Sequence, residues 1–176
     1  MRALLLPALV TLTTACGPPN PNPDGGVLPD GGPSALIELG TTDADGGFVP
    51  LTGDVDAIAG SQGGFHVNVL YKLPEGAVGQ VTFDHRVVRV SDDKLVSLGS
   101  RQFDVGLFYV SSWASPAPVN VFMCPTPVGV DVIGHELLFT TKAKDSSGRV
   151  FAAGSAKATF RCGATAGAYC ASVCKG

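Results

Sequence analysis

Residues 65–73 read FHVNVLYKL, with Phe65, Val67, Val69, Tyr71 and Leu73 alternating with His66, Asn68, Leu70 and Lys72. Successive side chains on an extended backbone point to opposite faces, so a period of two predicts a half-buried β-strand. The same period continues downstream. Residues 80–91 (QVTFDHRVVRVS) place Val81, Phe83 and Val87 on one face. Asp92-Asp93 signals a hairpin turn, and residues 94–98 return from it. Residues 101–111 (RQFDVGLFYVS) and 119–124 (VNVFMC) read as further strands. Residues 136–145 and 149–161 form the clearest hairpin. Their link, Asp145-Ser146-Ser147-Gly148, suits a type I turn closed by a left-handed glycine.

Upstream, residues 35–39 read as a first strand and 47–51 as a short second one. Pro50 confines that second piece to a sheet edge, because proline has no N–H for a second neighbour. The sum is seven to nine short antiparallel strands with no amphipathic helix. That pattern predicts an all-β chain, an immunoglobulin-like β-sandwich, with a jelly roll or small barrel as the alternative. The Cys…Trp…Cys order of true immunoglobulin domains is absent, since Trp113 precedes Cys124.

Composition narrows the function classes. At 45% hydrophobic and 15% charged residues, the chain is too apolar to be disordered throughout. A net charge of −3 excludes a general nucleic-acid binder. No apolar run reaches the roughly 18 residues of a membrane span. Charge is uneven: residues 35–84 hold seven acids and one base, residues 135–176 two acids and six bases. Complementary strand pairing explains this better than a functional dipole.

The first residues read as an address. Met1-Arg2 is basic, residues 3–12 (ALLLPALVTL) are apolar, and Thr13-Thr14-Ala15 are small before Cys16. This order makes a secretory signal. With Cys16 directly after the small residues, it resembles the signal of bacterial lipoproteins. Leu12 sits one place earlier than that family prefers, with Thr13 in its position. The resemblance implies cleavage between Ala15 and Cys16, diacylglycerol on the Cys16 thiol and an acyl chain such as palmitate on its amine. Gly17 in second place implies sorting to the outer membrane. The stretch Ser61-Gln62-Gly63-Gly64-Phe65-His66-Val67 is also similar to a segment of bacterial lipoproteins, and it carries no catalytic role across.

Residues 17–34 (GPPNPNPDGGVLPDGGPS) hold six prolines and five glycines. Such a segment buries too little to offset ordering entropy, so it reads as a tether. The expected organisation is a signal peptide over 1–15, a lipidated disordered tether over 16–34 and a β-sandwich domain over 35–176.

Candidate chemistry is sparse. His66, His85 and His135, with Asp84, Asp131 or Glu136, lack metal-ligand spacing. His66 falls on the polar phase of its strand, which predicts an exposed imidazole. Met123-Cys124-Pro125 with His135 resembles a cupredoxin strand end, but the eleven-residue gap and the missing later Met argue against copper. Residues 41–46 (TTDADG) resemble the start of a calcium loop, but Thr52 stands where a bidentate Glu is needed. A plain Asp-Gly turn fits better. There is no Gly-x-Ser-x-Gly, and Ser91-Asp92-Asp93-Lys94 lies in a turn rather than on a helix. The chain is therefore expected to act as an envelope binding or structural module, not as an enzyme, with no cofactor and no metal. A protein or glycan of the envelope is the expected partner, beside the membrane reached through Cys16. The alternative is a metal-dependent or hydrolytic envelope enzyme, which convergence of the three histidines in one cleft would favour.

Cys124, Cys162, Cys170 and Cys174 remain, an even count that predicts two disulfides outside the cytoplasm. The hairpin around Asp145–Gly148 sets residues summing to about 294 opposite each other, bringing Cys162 near the strand that follows Cys124. The expected pairs are Cys124–Cys162 and Cys170–Cys174, the rival Cys124–Cys174 with Cys162–Cys170. The spacing of Cys170 and Cys174 also suits zinc, as a minor option.

Overall fold

The computed structural model describes residues 35–43, 45–73, 79–105, 113–115, 117–164 and 166–176. Residues 1–34, over which the sequence leads one to expect a signal peptide, the lipidated Cys16 and a tether, lie outside the described residues. Among the described residues, twelve strands form in chain order: β1 Ala35–Leu36, β2 Glu38–Thr42, β3 Phe48–Pro50, β4 Asp54–Asp56, β5 Ile58–Ala59 and β6 Phe65–Leu73, then β7 Gln80–Arg89, β8 Leu95–Asp104, β9 Trp113–Ala114, β10 Val119–Cys124, β11 Glu136–Lys144 and β12 Val150–Arg161. One short helix, α1 Gly167–Val173, follows.

The strands make two sheets packed face to face. The first runs β1-β12-β11-β7-β8, with β4 also on β12. The second runs β10-β6-β2-β3, with β5 and β9 on β6. The all-β sandwich is therefore observed. Its strand count exceeds the expected seven to nine, because β1, β4, β5 and β9 are two- or three-residue pieces too short to show a period. It is also not wholly antiparallel: β1 and β4 both run parallel to β12.

The apolar phase of β6 is buried as its pattern predicts, but the strand is not half-buried, because His66 and Leu70 of the other phase are buried as well. Phe65, Val67, Val69, Tyr71 and Leu73 are all buried, and they face Val81, Phe83, Val87, Leu137 and Phe139 from the other sheet. Tyr71 stacks on Phe83 with ring centroids 4.8 Å apart. Pro50 sits on an edge strand, since β3 pairs only with β2. Between Asp145 and Gly148 the turn is as read. Gly148 has φ +84° and donates to the Asp145 carbonyl at 2.9 Å. The Asp145 carboxylate accepts the N–H groups of Ser147 and Arg149.

Residues 94–98 and 101–111 are not two strands broken at Gly99-Ser100; β8 runs unbroken from Leu95 to Asp104. Glycine there is not a break. It pairs with His85, whose ring lies across the space a Cβ would need. Residues 106–112 lie outside the described residues.

Charge segregation resolves into strand pairing. Lys144 meets Asp84 at 2.5 Å and Arg161 meets Asp54 at 3.3 Å, each joining the basic C-terminal stretch to the acidic N-terminal one. The β7–β8 hairpin has its own clamp. Arg89 donates from Nε to Asp92 Oδ1 at 2.9 Å, from Nη2 to Oδ2 at 2.6 Å, and from Nη1 to the Asp131 carbonyl at 2.7 Å. The guanidinium holds the Asp92 carboxyl down at about 2, helped by the Lys94 N–H. A carboxylate with a depressed folded value contributes stability above its unfolded value, near 4, and loses it as pH falls through the folded value. Melting temperature should therefore drop between about pH 4 and pH 2. The drop should be shallower in Asp92→Asn. Equal slopes for the two proteins in an acid series of thermal melts would refute the clamp.

Candidate functional site: an open sheet edge and a cystine-locked end

The two long sides of the sandwich differ. On one, the chain crosses between sheets at Ile37: β1 pairs with β12, β2 pairs with β6, and the Ile37 N–H donates to Ala153 at 2.9 Å. On the other, edge strands β8 and β10 flank an open cleft of about 370 Å³. His85, Ser97, Gly99, Arg101, Asn120 and Phe122 are among its lining.

His85 reaches the cleft from the core face of β7. It lies in phase with Val81, Phe83 and Val87, and is only 8% exposed. Its Cε1–Nε2 edge lies over Gly99, with Nε2 2.5 Å from where a Cβ would stand and Nδ1 set back at 3.4 Å. Any side chain at residue 99 would push the imidazole away. Nδ1 is enclosed and has no hydrogen-bond partner among the described residues. Burial lowers the His85 pKa, with the Asp84 charge pulling the other way.

The next position in the sheet is Thr141, paired with His85 across β11 and β7. Its hydroxyl and the Tyr71 phenol are both buried and lie near each other, without closing a hydrogen bond of standard geometry to any described residue. Burial pushes the Tyr71 phenol up to about 12, with the Thr141 hydroxyl pulling back. Among the described residues, His85, Thr141 and Tyr71 thus form a row of buried polar side chains with hydrogen-bonding capacity left over. Such groups usually find a protein or water partner, so each unmet one marks a place of interest.

The histidines do not converge. His85 faces inward from the first sheet. His66 faces outward from the second, between Ile58 of β5 and Phe122 of β10. Contrary to its polar-phase reading, His66 is 7% exposed, because Phe122 packs edge-on at 6.0 Å and β5 covers its other side. Burial lowers its pKa, opposed by the Asn68 side chain. His135 precedes β11 at the far end, where its carbonyl accepts from the Phe160 N–H. The Asp43 carboxylate accepts from the Asp45 and Gly47 N–H groups, and the Asp43 carbonyl accepts from the Gly46 N–H, so Asp43 closes a turn onto the two glycines.

The cysteines pair differently from the expected connectivity. The disulfides are Cys124–Cys174 and Cys162–Cys170. The hairpin register itself holds: Lys144 opposes Val150, and Leu137 opposes Ala158. It misled because Cys124 ends a strand of the second sheet, whereas Cys162 follows β12 of the first. Cys170 and Cys174 sit one helical turn apart on α1 and its C-cap. At that spacing Cβ atoms are about 5–6 Å apart, beyond the roughly 3.5–4.5 Å a disulfide spans. Their sulfurs approach to 3.7 Å unbonded, and each bonds outward instead. The Sγ atoms of Cys162, Cys170 and Cys174 lie within 4.8 Å of one another. This is the sole cluster of three ligand-type side chains among the described residues, and its sulfurs are engaged in disulfides.

No family model and no curated protein matches the chain. Among solved structures, the chain is similar to a β-glucuronidase of Bacteroides uniformis, with 11% identity and a TM-score of 0.36. That likeness covers 70% of this chain and 13% of the enzyme's chain.

Proposed function

We infer that this chain is a lipid-anchored module of the cell envelope, acting by binding or structural presence rather than by catalysis. Cysteine usage carries the reading. Of five cysteines, four pair within the β domain and Cys16 is left over, directly behind a leader-like segment. Disulfides persist in oxidising compartments, which supports export. The resemblance of residues 1–16 to a lipoprotein signal then gives Cys16 its use as the site of lipidation. More than one acyl chain anchors stably where a single chain is marginal. Gly17 favours the outer membrane.

Residues 17–34, with an r.m.s. reach of about 20–25 Å as a flexible chain, would lift the domain off the headgroups. The two-sheet sandwich supports an immunoglobulin-like module offering its loops and open edge to a protein or glycan. That last step is analogy with such modules. Cys16→Ser should move the chain from the membrane fraction to the soluble fraction and abolish labelling by a clickable fatty acid. Persistent labelling would overturn the anchor.

A further inference from the structure

We propose that the cleft between β8 and β10 is a binding site for a small organic carboxylate with an apolar body, held by Arg101 and read by His85 through the gap at Gly99. This deepens the reading of the chain as a binding module and rests on it. Four observations carry it. The cleft, at about 370 Å³, falls in the size range of small-molecule sites, about 300–1,000 Å³. Its lining holds one cation, Arg101, and no acid. Arg101 makes no ion pair among the described residues, so its guanidinium is available for two parallel hydrogen bonds to a carboxylate. Phe122, 62% exposed at the rim, supplies an apolar surface for the body of the ligand.

His85 is what distinguishes this cleft from an ordinary gap between edge strands. Its imidazole is more than nine-tenths buried, yet it lines the cleft. Strand pairing fixes its approach. His85 opposes Gly99, and Phe83 opposes Arg101, so Gly99 and Arg101 share the inward phase of β8. A ligand carboxylate on Arg101 therefore lies two residues along the strand from Gly99, over which the Cε1–Nε2 edge of the imidazole lies. Behind the ring, Thr141 and Tyr71 continue a row of buried polar groups. A bound polar atom at Nε2 fixes the ring's tautomer, which sets whether Nδ1 donates or accepts toward that row.

The test uses the full-length Cys16→Ser chain, benzoate as probe and benzamide as its neutral counterpart, at constant ionic strength. Histidine ring resonances are followed by NMR, with the His85 signal assigned from a His85→Gln variant. Benzoate should shift the His85 ring saturably, with a Kd on the order of 1 mM, and should leave His135 in place. Benzamide should bind at least about tenfold more weakly. Arg101 is exposed, so Arg101→Gln should fold normally and lose benzoate affinity by a similar factor, while Arg101→Lys should recover part of it. Gly99→Ala, checked for folding by its melt, should abolish the His85 response. The proposal is overturned by equal binding of benzamide, by unchanged affinity in Arg101→Gln, or by no His85 shift up to about 20 mM benzoate. None of these outcomes bears on fatty-acid labelling at Cys16, so the site and the anchor fail separately.

Discussion

Serine at both Cys124 and Cys174 is expected to destabilise the domain by about 4 kcal/mol. The bond closes a loop across a sequence separation of 50, and chain-entropy reasoning assigns larger losses to longer loops. For a domain of this size the melting temperature should fall by roughly 10–15 °C. The shorter Cys162–Cys170 bond, at a separation of 8, should contribute about 2–3 kcal/mol. Peptide mapping without reductant checks the connectivity. Trypsin leaves Cys162, Cys170 and Cys174 on one peptide, and a second cut after Tyr169 divides it. The observed pairs predict that all three resulting pieces, including the one holding Cys124, stay joined. The other pairing would free the piece with Cys170 and Cys174 on its own.

Phe83→Ala should rank with that loss, at about 3–5 kcal/mol. Phe83 is fully buried, stacks on Tyr71 across the two sheets and meets Phe103 edge-on at 5.8 Å. Alanine removes both ring contacts and leaves a cavity between sheets that cannot close without moving β6 and β7. Phe83→Leu keeps most of the volume and should cost less, about 1.5 kcal/mol. Denaturant midpoints measure both, provided the slope with denaturant is unchanged. An alanine variant within about 1 kcal/mol of the parent would show that the sheets do not pack through this ring.

Much of the sandwich is legible along the chain, and each legible part is local. The period of two in residues 65–73 buries its apolar phase as written. Asp145 to Gly148 makes the turn its residues call for, and Pro50 sits on an edge. These follow from steric and hydrogen-bonding rules acting within a few residues. The segregated charges also foretold their pairing, because residues 54 and 84 meet residues 161 and 144 across neighbouring strands. The short strands β4, β5 and β9 were not legible. Two or three residues have no period, and they pair only because a longer strand is already in place.

What tertiary structure alone decided is which distant residue lies opposite. Polar phase correctly put His66 on an outer face, but only the neighbours Ile58 and Phe122 decided that this face is covered there. Gly99 looked like a break until His85 filled the space beside it. Four cysteines announced two disulfides, yet α1 decided their pairing. It carries Cys174 to the end of β10 and holds Cys170 and Cys174 too far apart at Cβ to bond each other. Strand periodicity and turn chemistry are written in consecutive residues. A disulfide partner, a buried imidazole and an open sheet edge each depend on the packing of segments far apart in the chain, which no local pattern records.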